Sequence, residues 1–214
     1  MAKQYRMIIV DDLRYSRKMF ATVIDVNPHY KLELACETCD EALEYVEATD
    51  VDLVIMDVVM RVGVDGLAAA KRIKEAKPYI KIILVTGTAE SSWMDVAKEA
   101  GVESFWYKEY SEDKLDDIIK RTLAGESVYP TKAPDLPFGD TMKSALTERE
   151  LDVLRELTGG YSNQEIAERL GISINTVRTH ITSMVNKTGY ESRFDLALNA
   201  KALGVVVGST KKGE

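Results

Sequence analysis

The chain has 214 residues, of which 45% are hydrophobic and 29% charged, and its formal net charge is −7. This length allows one large or two ordinary domains, and the composition is that of a soluble globular protein. No apolar run approaches the ~20 residues that a membrane-spanning helix needs, and the first residues lack the apolar segment of a signal peptide. We therefore expect a cytoplasmic protein that has no membrane partner.

Charge is distributed unevenly along the chain. Residues 1–124 carry 17 basic and 23 acidic side chains, whereas residues 146–214 carry 9 of each. An acidic first part and a neutral last part indicate two modules with different partners. The only cysteines are Cys36 and Cys39, and a zinc site needs about four ligands, so we interpret both as reduced structural thiols.

Short apolar runs alternate five times with helix-period segments in the first part of the chain. Such runs are typical of buried strands in a parallel α/β sheet that has helices on both faces. The predicted strands are Tyr5–Val10, Lys31–Ala35, Leu53–Met56, Lys81–Val85 and Ser104–Tyr107. The predicted helices include one that buries Met19, one capped by Asp40, one that buries Leu67 and one that runs from about Glu112 to Leu123.

Polar residues follow four of these strands. Asp11 and Asp12 follow the first strand, and Asp57, Thr86 and Lys108 follow the third, fourth and fifth. Because ligands bind outside the carboxyl ends of parallel strands, we expect these side chains to converge on one patch. Three neighbouring carboxylates repel one another unless a proton or a cation intervenes. The set therefore suits a magnesium ion and a phosphoryl group, with Asp57 as the nucleophile.

The rest of the chain changes character twice. Residues 125–143 contain three of the five prolines and no helical or strand periodicity, which is typical of an interdomain linker. Residues 144–208 then contain four predicted helices, and residues 209–214 form a predicted tail. Thr147, Ser162 and Ser173 cap the first three helices, and the fourth runs from about Ser192. Two short helices joined at Gly171 predict a helix-turn-helix.

The two parts resemble known modules. Residues 1–124 resemble a receiver domain of two-component signalling, and residues 144–208 resemble a LuxR-type helix-turn-helix domain. Together they are similar to a response regulator of the NarL/FixJ family. The resemblance implies a flavodoxin-like α/β receiver with a five-stranded parallel sheet, followed by an all-α four-helix DNA-binding domain. It also implies a transcription factor and not an enzyme, apart from phosphoryl transfer and autodephosphorylation by the receiver itself.

The resemblance assigns roles to individual residues of the receiver. These are Asp57 as phospho-acceptor, Asp11, Asp12, Asp57 and the Val59 carbonyl as Mg²⁺ ligands, Thr86 as switch hydroxyl, Lys108 as phosphate-binding lysine and Phe105 as switch aromatic. The chain departs from the family at two positions. Arg61 follows Met60, and Glu109 follows Lys108, where the family often has proline. Both departures would change loop stiffness and the lifetime of the phosphorylated state.

The third helix of the last part, from Ser173 to about Lys187, is the predicted recognition helix. It contains no acidic residue, and carboxylates would be repelled by DNA phosphates. Its N-terminal portion would enter the major groove. By resemblance to the family pattern, the residues expected to face base edges are Arg178, Thr179 and Thr182, and those placed for phosphates are Thr176 and Lys187. The family often has lysine in place of Thr182, so this interface carries less positive charge.

A neutral module cannot bind DNA tightly through charge alone, whereas two linked copies on paired half-sites would double the contacts. We therefore predict that a sensor histidine kinase phosphorylates Asp57 and that this controls homodimerisation and binding to a double-stranded DNA operator. One alternative is a phosphorylation-independent DNA-binding regulator whose receiver serves only dimerisation. Another is a phosphohydrolase, against which the helix-turn-helix argues.

Overall fold

The computed structural model describes residues 4–61, 63–90 and 92–208. It divides into two compact units. The first holds the chain through Gly87 and again as far as Lys132, and the second holds Thr88–Glu90 and the chain from Ala133 onwards. The boundary after Lys132 falls inside the predicted linker, and the predicted tail lies outside the described residues. Among the described residues, every helix is too short or too polar to cross a bilayer.

The first unit is built on a parallel sheet of five strands in the order β2-β1-β3-β4-β5, which confirms the predicted fold class. Strand β3 is apolar apart from its last residue and is buried throughout, as expected for a strand covered on both faces. The strands are β1 (Tyr5–Val10), β2 (Tyr30–Cys36), β3 (Leu53–Asp57), β4 (Lys81–Thr86) and β5 (Ser104–Tyr107).

Five helices connect and flank these strands. They are α1 (Arg14–Asp25), α2 (Cys39–Ala48), α3 (Gly66–Ala76), α4 (Ser92–Glu99) and α5 (Leu115–Leu123). Their apolar faces cover the sheet, so that Phe20 and Ile24 of α1 pack with Ile118 and Ile119 of α5 in one core. Cys36 and Cys39 are free and buried, and burial raises the pKa of each thiol to about 12.

Four details of the helices differ from the sequence predictions. Thr38 and not Asp40 caps α2, because the Thr38 hydroxyl accepts a hydrogen bond from the Glu41 amide. Met19 is 46% exposed and Leu67 is only half-buried, since other positions of their helices face the sheet. Helix α5 begins at Leu115 and not near Glu112. None of these differences moves a residue of the predicted site.

The second unit is mainly helical. Its elements are the strands β6 (Pro137–Phe138) and β7 (Thr141–Met142), a 3-10 turn at Lys143–Ala145, and the helices α6 (Glu148–Thr158), α7 (Asn163–Leu170), α8 (Ile174–Thr188) and α9 (Arg193–Ala202). Strands β6 and β7 form an antiparallel hairpin inside the segment that was predicted to lack periodic structure. The predicted helix-turn-helix is α7 and α8, which are joined at Gly171 in the left-handed conformation.

Three helix caps of the second unit agree with the sequence predictions. Thr147 and Ser162 each form a capping box with the glutamate three residues later, and Ser173 caps α8 by accepting a hydrogen bond from the Thr176 amide.

Within this unit Glu90 is 2% exposed, and its carboxylate accepts hydrogen bonds from the Arg155 guanidinium at 2.9 and 3.1 Å. The paired guanidinium compensates the buried charge of Glu90.

Candidate functional site

The carboxyl edge of the sheet brings the predicted polar residues together. Asp11 follows β1, Asp57 ends β3, Thr86 ends β4 and Lys108 follows β5. The register is fixed by backbone hydrogen bonds, because Asp57 lies opposite Val85 and the Lys108 amide donates to the Thr86 carbonyl at 2.8 Å. Strand order β1-β3-β4-β5 therefore places carboxylates, a hydroxyl and an ammonium side by side.

Lys108 joins two of the carboxylates. Its Nζ lies 2.6 Å from Oδ2 of Asp11 and 2.8 Å from Oδ2 of Asp57. The side chains of Lys108, Asp11 and Asp57 are 11%, 0% and 7% exposed. The same ammonium lies 5.8 Å from the centroid of the Phe20 ring, whose face attracts cations. One positive charge thus compensates two buried negative charges.

Oxygen atoms of Asp11, Asp12 and Asp57 all lie within 4.8 Å of one another. Carboxylate oxygens are the ligands that magnesium prefers, and the ion usually keeps several waters of its own. Asp12 is only half-buried, so this group could complete a coordination sphere from the solvent side. The donor set therefore fits a divalent cation. The Val59 amide donates to Oδ1 of Asp57 at 3.3 Å, and its carbonyl stays a predicted ligand.

The pKa values at this edge follow from burial and pairing. Burial raises the pKa of Asp57 to about 6, although Lys108 acts in the opposite direction. Burial lowers the pKa of Lys108, but Asp57 and Asp11 outweigh it, so that this pKa lies above its ordinary value. A carboxylate that is costly to ionise in a buried site is one that gains from an additional cation.

Arg61 holds the third carboxylate. Its Nε lies 2.5 Å from Oδ2 of Asp12, its backbone amide donates to the same oxygen at 3.2 Å, and its terminal Nη2 donates to the Asp12 carbonyl at 3.3 Å. The guanidinium is 69% exposed, whereas the Asp12 side chain is 13% exposed. No local sequence pattern connects the members of this pair, which are 49 residues apart. The sequence shows only that a residue other than proline follows Met60.

Thr86 and Phe105, the two predicted switch residues, are both buried. Thr86 is fully buried at the end of β4, directly opposite Tyr107 on β5. Phe105 is 1% exposed, and its ring packs edge-on against Tyr107 and stacks on Tyr129 at centroid distances of 5.2 and 6.3 Å. The switch roles of Thr86 and Phe105 remain predictions.

The start of α3 touches the backbone of Asp57. A Cβ on Gly66 would lie 1.9 Å from the Asp57 carbonyl oxygen, so only glycine permits this approach. The Gly66 amide donates to the Val58 carbonyl at 3.1 Å, and Asp65 caps the helix through the Ala68 amide. The loop between β3 and α3 is thus anchored at both of its ends, next to the acidic cluster.

In the second unit, α8 presents the predicted DNA-contacting side chains on one face. Arg178, Thr179 and Thr182 are exposed, and Thr176 is half-buried with its hydroxyl 2.8 Å from that of Ser173. The opposite face is core, with buried Val177, Ile181 and Met184. A shallow depression on the exposed face is lined by Arg178, Thr179, Thr182, Ser183, Asn186 and Lys187.

Lys187, a predicted phosphate contact, is bonded within the second unit in this structure. Its Nζ donates to Oε2 of Glu150 at 2.7 Å and to the Ala145 carbonyl at 3.0 Å. Ser183 donates to the other oxygen of Glu150 at 2.7 Å, so that α8 is fastened to the start of α6. Lys187 as a phosphate contact therefore stays a prediction, and in this structure the ammonium stabilises the unit internally.

Comparison with known families identifies a domain in each of the two units. Residues 7–120 match the response regulator receiver domain, and residues 144–200 match the luxR family of bacterial regulatory proteins. The chain belongs to the response regulators. Its class is therefore that of DNA-binding transcription regulators and not of enzymes, as the sequence predicted.

Relatives match along nearly the whole response regulator. It is 30% identical to response regulator protein VraR of Staphylococcus aureus over 91% of this chain and 95% of that one. It is also 30% identical to the Fimbriae Z protein of Salmonella typhimurium, over 94% of this chain and 98% of that one. The two-module order is thus shared with proteins of almost equal length.

Two solved structures show the same fold. RcsB of Salmonella enterica serovar Typhimurium, bound to a promoter in the presence of the phosphomimetic BeF₃⁻, covers 95% of this chain and 100% of that one, with a TM-score of 0.61 and 21% identity. A LuxR-family two-component response regulator from Aurantimonas covers 59% of this chain and 89% of that one, with a TM-score of 0.55 and 25% identity.

Proposed function

We propose that Asp57 accepts a phosphoryl group from a sensor histidine kinase and that this controls dimerisation and sequence-specific DNA binding. The observation that carries the proposal is Lys108 placed between Asp11 and Asp57, with Asp12 in the same cluster. Cation and carboxylates at this spacing suit the transfer of a group that carries several negative charges.

In the transfer, an oxygen of the Asp57 carboxylate attacks the phosphorus of a phosphohistidine. A P–O bond forms as the P–N bond breaks, the electron pair stays on the imidazole nitrogen, and that nitrogen takes up a proton. The Lys108 ammonium, already 2.8 Å from Asp57, would pair with a phosphoryl oxygen. Thr86 would donate its hydroxyl to another oxygen, and Phe105 would follow it inward.

Asp11, Asp12, Asp57 and the Val59 carbonyl would hold Mg²⁺. The ion would neutralise charge on the phosphoryl oxygens during transfer. Support comes from the convergence of the three carboxylates and from the burial of Asp57, which raises its pKa and makes the ionised carboxylate costly without a further cation.

The exposed face of α8 would bind the operator. Arg178 can form paired hydrogen bonds with guanine, and the methyl groups of Thr179 and Thr182 can contact thymine. Thr176 and Lys187 would contact phosphates, which for Lys187 requires release from Glu150. Because residues 146–214 carry 9 basic and 9 acidic side chains, one copy gains little from charge, and a homodimer on two half-sites would supply the affinity. We place this activity in the cytoplasm, where bacterial DNA is accessible.

Mass measured by light scattering tests the switch directly. We expect the full chain to shift from monomer to dimer when beryllium fluoride and Mg²⁺ are added together, and the Asp57→Asn variant to remain monomeric. Asp50→Asn is the matched control, because Asp50 lies before β3 at the opposite edge of the sheet and is 73% exposed. It should dimerise like the parent protein.

Each other outcome has a distinct meaning. Dimerisation of the Asp57→Asn variant with beryllium fluoride would contradict the assignment of Asp57. A chain that is dimeric and binds its operator equally with and without the phosphomimetic would favour the phosphorylation-independent regulator. Operator binding is best mapped by footprinting on the genomic fragments that the protein selects.

A further inference from the structure

We propose that Arg61 is an internal competitor for the magnesium ion, and that it sets the Mg²⁺ concentration at which the phosphorylation site becomes loaded. This inference rests on the proposed function, because it concerns the same acidic cluster. It assigns to Arg61 a positioning role and no contact with the reacting atoms.

Every carboxylate of the acidic cluster already has a cationic partner in the chain. Lys108 compensates Asp11 and Asp57, and Arg61 compensates Asp12, so each of the three carboxylates is paired with a cation of the chain. A divalent cation that binds all three must therefore replace at least one existing pair. Its observed affinity will be lower than the donor set alone would give.

The exposure of the two cations decides which ion pair magnesium displaces. The Lys108 ammonium is 11% exposed and joins two buried carboxylates, so breaking it leaves charge uncompensated in a dry environment. The Arg61 guanidinium is 69% exposed and can return to water at little cost. Arg61 is thus the cation that yields to magnesium.

Arg61 and magnesium compete for the carboxylate of Asp12. Oδ2 of Asp12 accepts from both Nε and the backbone amide of Arg61, at 2.5 and 3.2 Å. Magnesium needs a lone pair from the same carboxylate. An ion that takes Oδ2 has to displace both of these donors. Binding through this oxygen is therefore coupled to a shift of the Arg61 amide as well as of its guanidinium.

Calorimetric titration of the full chain with MgCl₂ tests the inference without any phosphoryl transfer. We expect Arg61→Ala to bind Mg²⁺ about 3- to 10-fold more tightly than the parent, the range expected from losing a partly exposed ion pair. The Mg²⁺ affinity of Arg61→Lys should lie between those of the parent and Arg61→Ala, because lysine keeps the positive charge but lacks the planar guanidinium. Arg121→Ala removes an equal charge from an exposed pair with Glu126 at the far end of α5, and should bind like the parent.

A second background makes the result specific. The Asp12→Asn variant lacks the carboxylate for which Arg61 and magnesium compete. Adding Arg61→Ala in this background should therefore leave the Mg²⁺ affinity unchanged. An Arg61→Ala affinity equal to or weaker than that of the parent, in a protein that binds Mg²⁺, would overturn the inference and leave the proposed function standing. Absence of binding in every variant would overturn both. Binding by Arg61→Ala in the absence of detectable binding by the parent would support the inference most strongly.

Discussion

The two functional surfaces of this response regulator use opposite means to present polar groups. At the sheet edge, Asp11 and Asp57 are nearly fully buried and share one ammonium at 2.6 and 2.8 Å. On α8, Arg178, Thr179 and Thr182 are exposed and separated by the helical repeat. At the sheet edge, each charge changes the free energy of ionisation of the others. On α8, the polar groups are exposed and form their hydrogen bonds only when a ligand supplies the partners. We therefore expect strong coupling at the first surface and additivity at the second.

The largest effect is expected from Lys108→Ala. It leaves Asp11 and Asp57 buried without their cation, which should lower the free energy of unfolding of the first unit by about 3–5 kcal/mol. Urea unfolding followed by tryptophan fluorescence reports this unit alone, because both tryptophans of the chain, Trp93 and Trp106, belong to it. Lys120→Ala removes an exposed lysine of α5 and serves as the control. A loss as small as that of the control would show that the buried charges are not coupled.

A smaller effect of opposite sign is expected from Asp57→Asn without metal. The pKa of Asp57 is raised from 3.8 to about 6 by burial, so its stabilising contribution is complete below about pH 4 and is lost as the pH rises through 6. Asp57→Asn should therefore be more stable than the parent by about 1–3 kcal/mol near pH 7.5, and the difference should vanish near pH 4. Urea midpoints across this pH range measure it. In the Lys108→Ala background the gain should be larger still, and equal gains in both backgrounds would argue against coupling.

At the second surface, Arg178→Ala should weaken operator binding by about 1–3 kcal/mol and relax the preference at one base pair. Because Arg178 is exposed, stability should not change. Fluorescence anisotropy with the operator and with single-base variants gives both quantities. Combination with Thr182→Ala should be additive, and non-additivity beyond about 0.5 kcal/mol would contradict the contrast between the surfaces.

The smallest effect is expected from Glu150→Gln, which tests a buried charge inside the DNA-binding unit. Although burial opposes ionisation of Glu150, hydrogen bonds from Lys187, Ser183 and Thr147 lower its pKa to about 2. The ionised form therefore stabilises the unit above about pH 4.5, and this contribution is lost as the pH falls towards 2. We expect Glu150→Gln to cost about 1 kcal/mol at neutral pH and nothing at the acid end. Far-ultraviolet circular dichroism follows the helices, and a loss that is independent of pH would contradict the assignment.

The sequence predicted the convergence at the sheet edge because each polar residue there ends or follows an apolar run. Asp57, Thr86 and Lys108 could be placed from strand order alone, since parallel strands align their carboxyl ends. The capping boxes at Thr147 and Ser162 were also local, three-residue patterns. Such short-range signals survive folding unchanged.

The ion pairs could not be predicted in the same way. Arg61 and Asp12 are 49 residues apart, and Lys187 and Glu150 are 37 apart, so no local spacing connects them. Surface lysines and arginines find partners only after the loops are in place. The exposure of Met19 depended similarly on how α1 is rotated over the sheet. The cap of α2 at Thr38 was instead a local signal that was missed, since Glu41 follows Thr38 by three residues.

The contact between Gly66 and the Asp57 carbonyl has a consequence for how this chain can change over generations. Position 66 carries no charge, yet any side chain there would collide with the backbone of Asp57, the proposed phosphoryl acceptor, at 1.9 Å. Substitutions at this position should be as rare among surviving variants as substitutions of Asp57 itself. Random mutagenesis with selection for a working switch would therefore rank this uncharged glycine beside the proposed nucleophile.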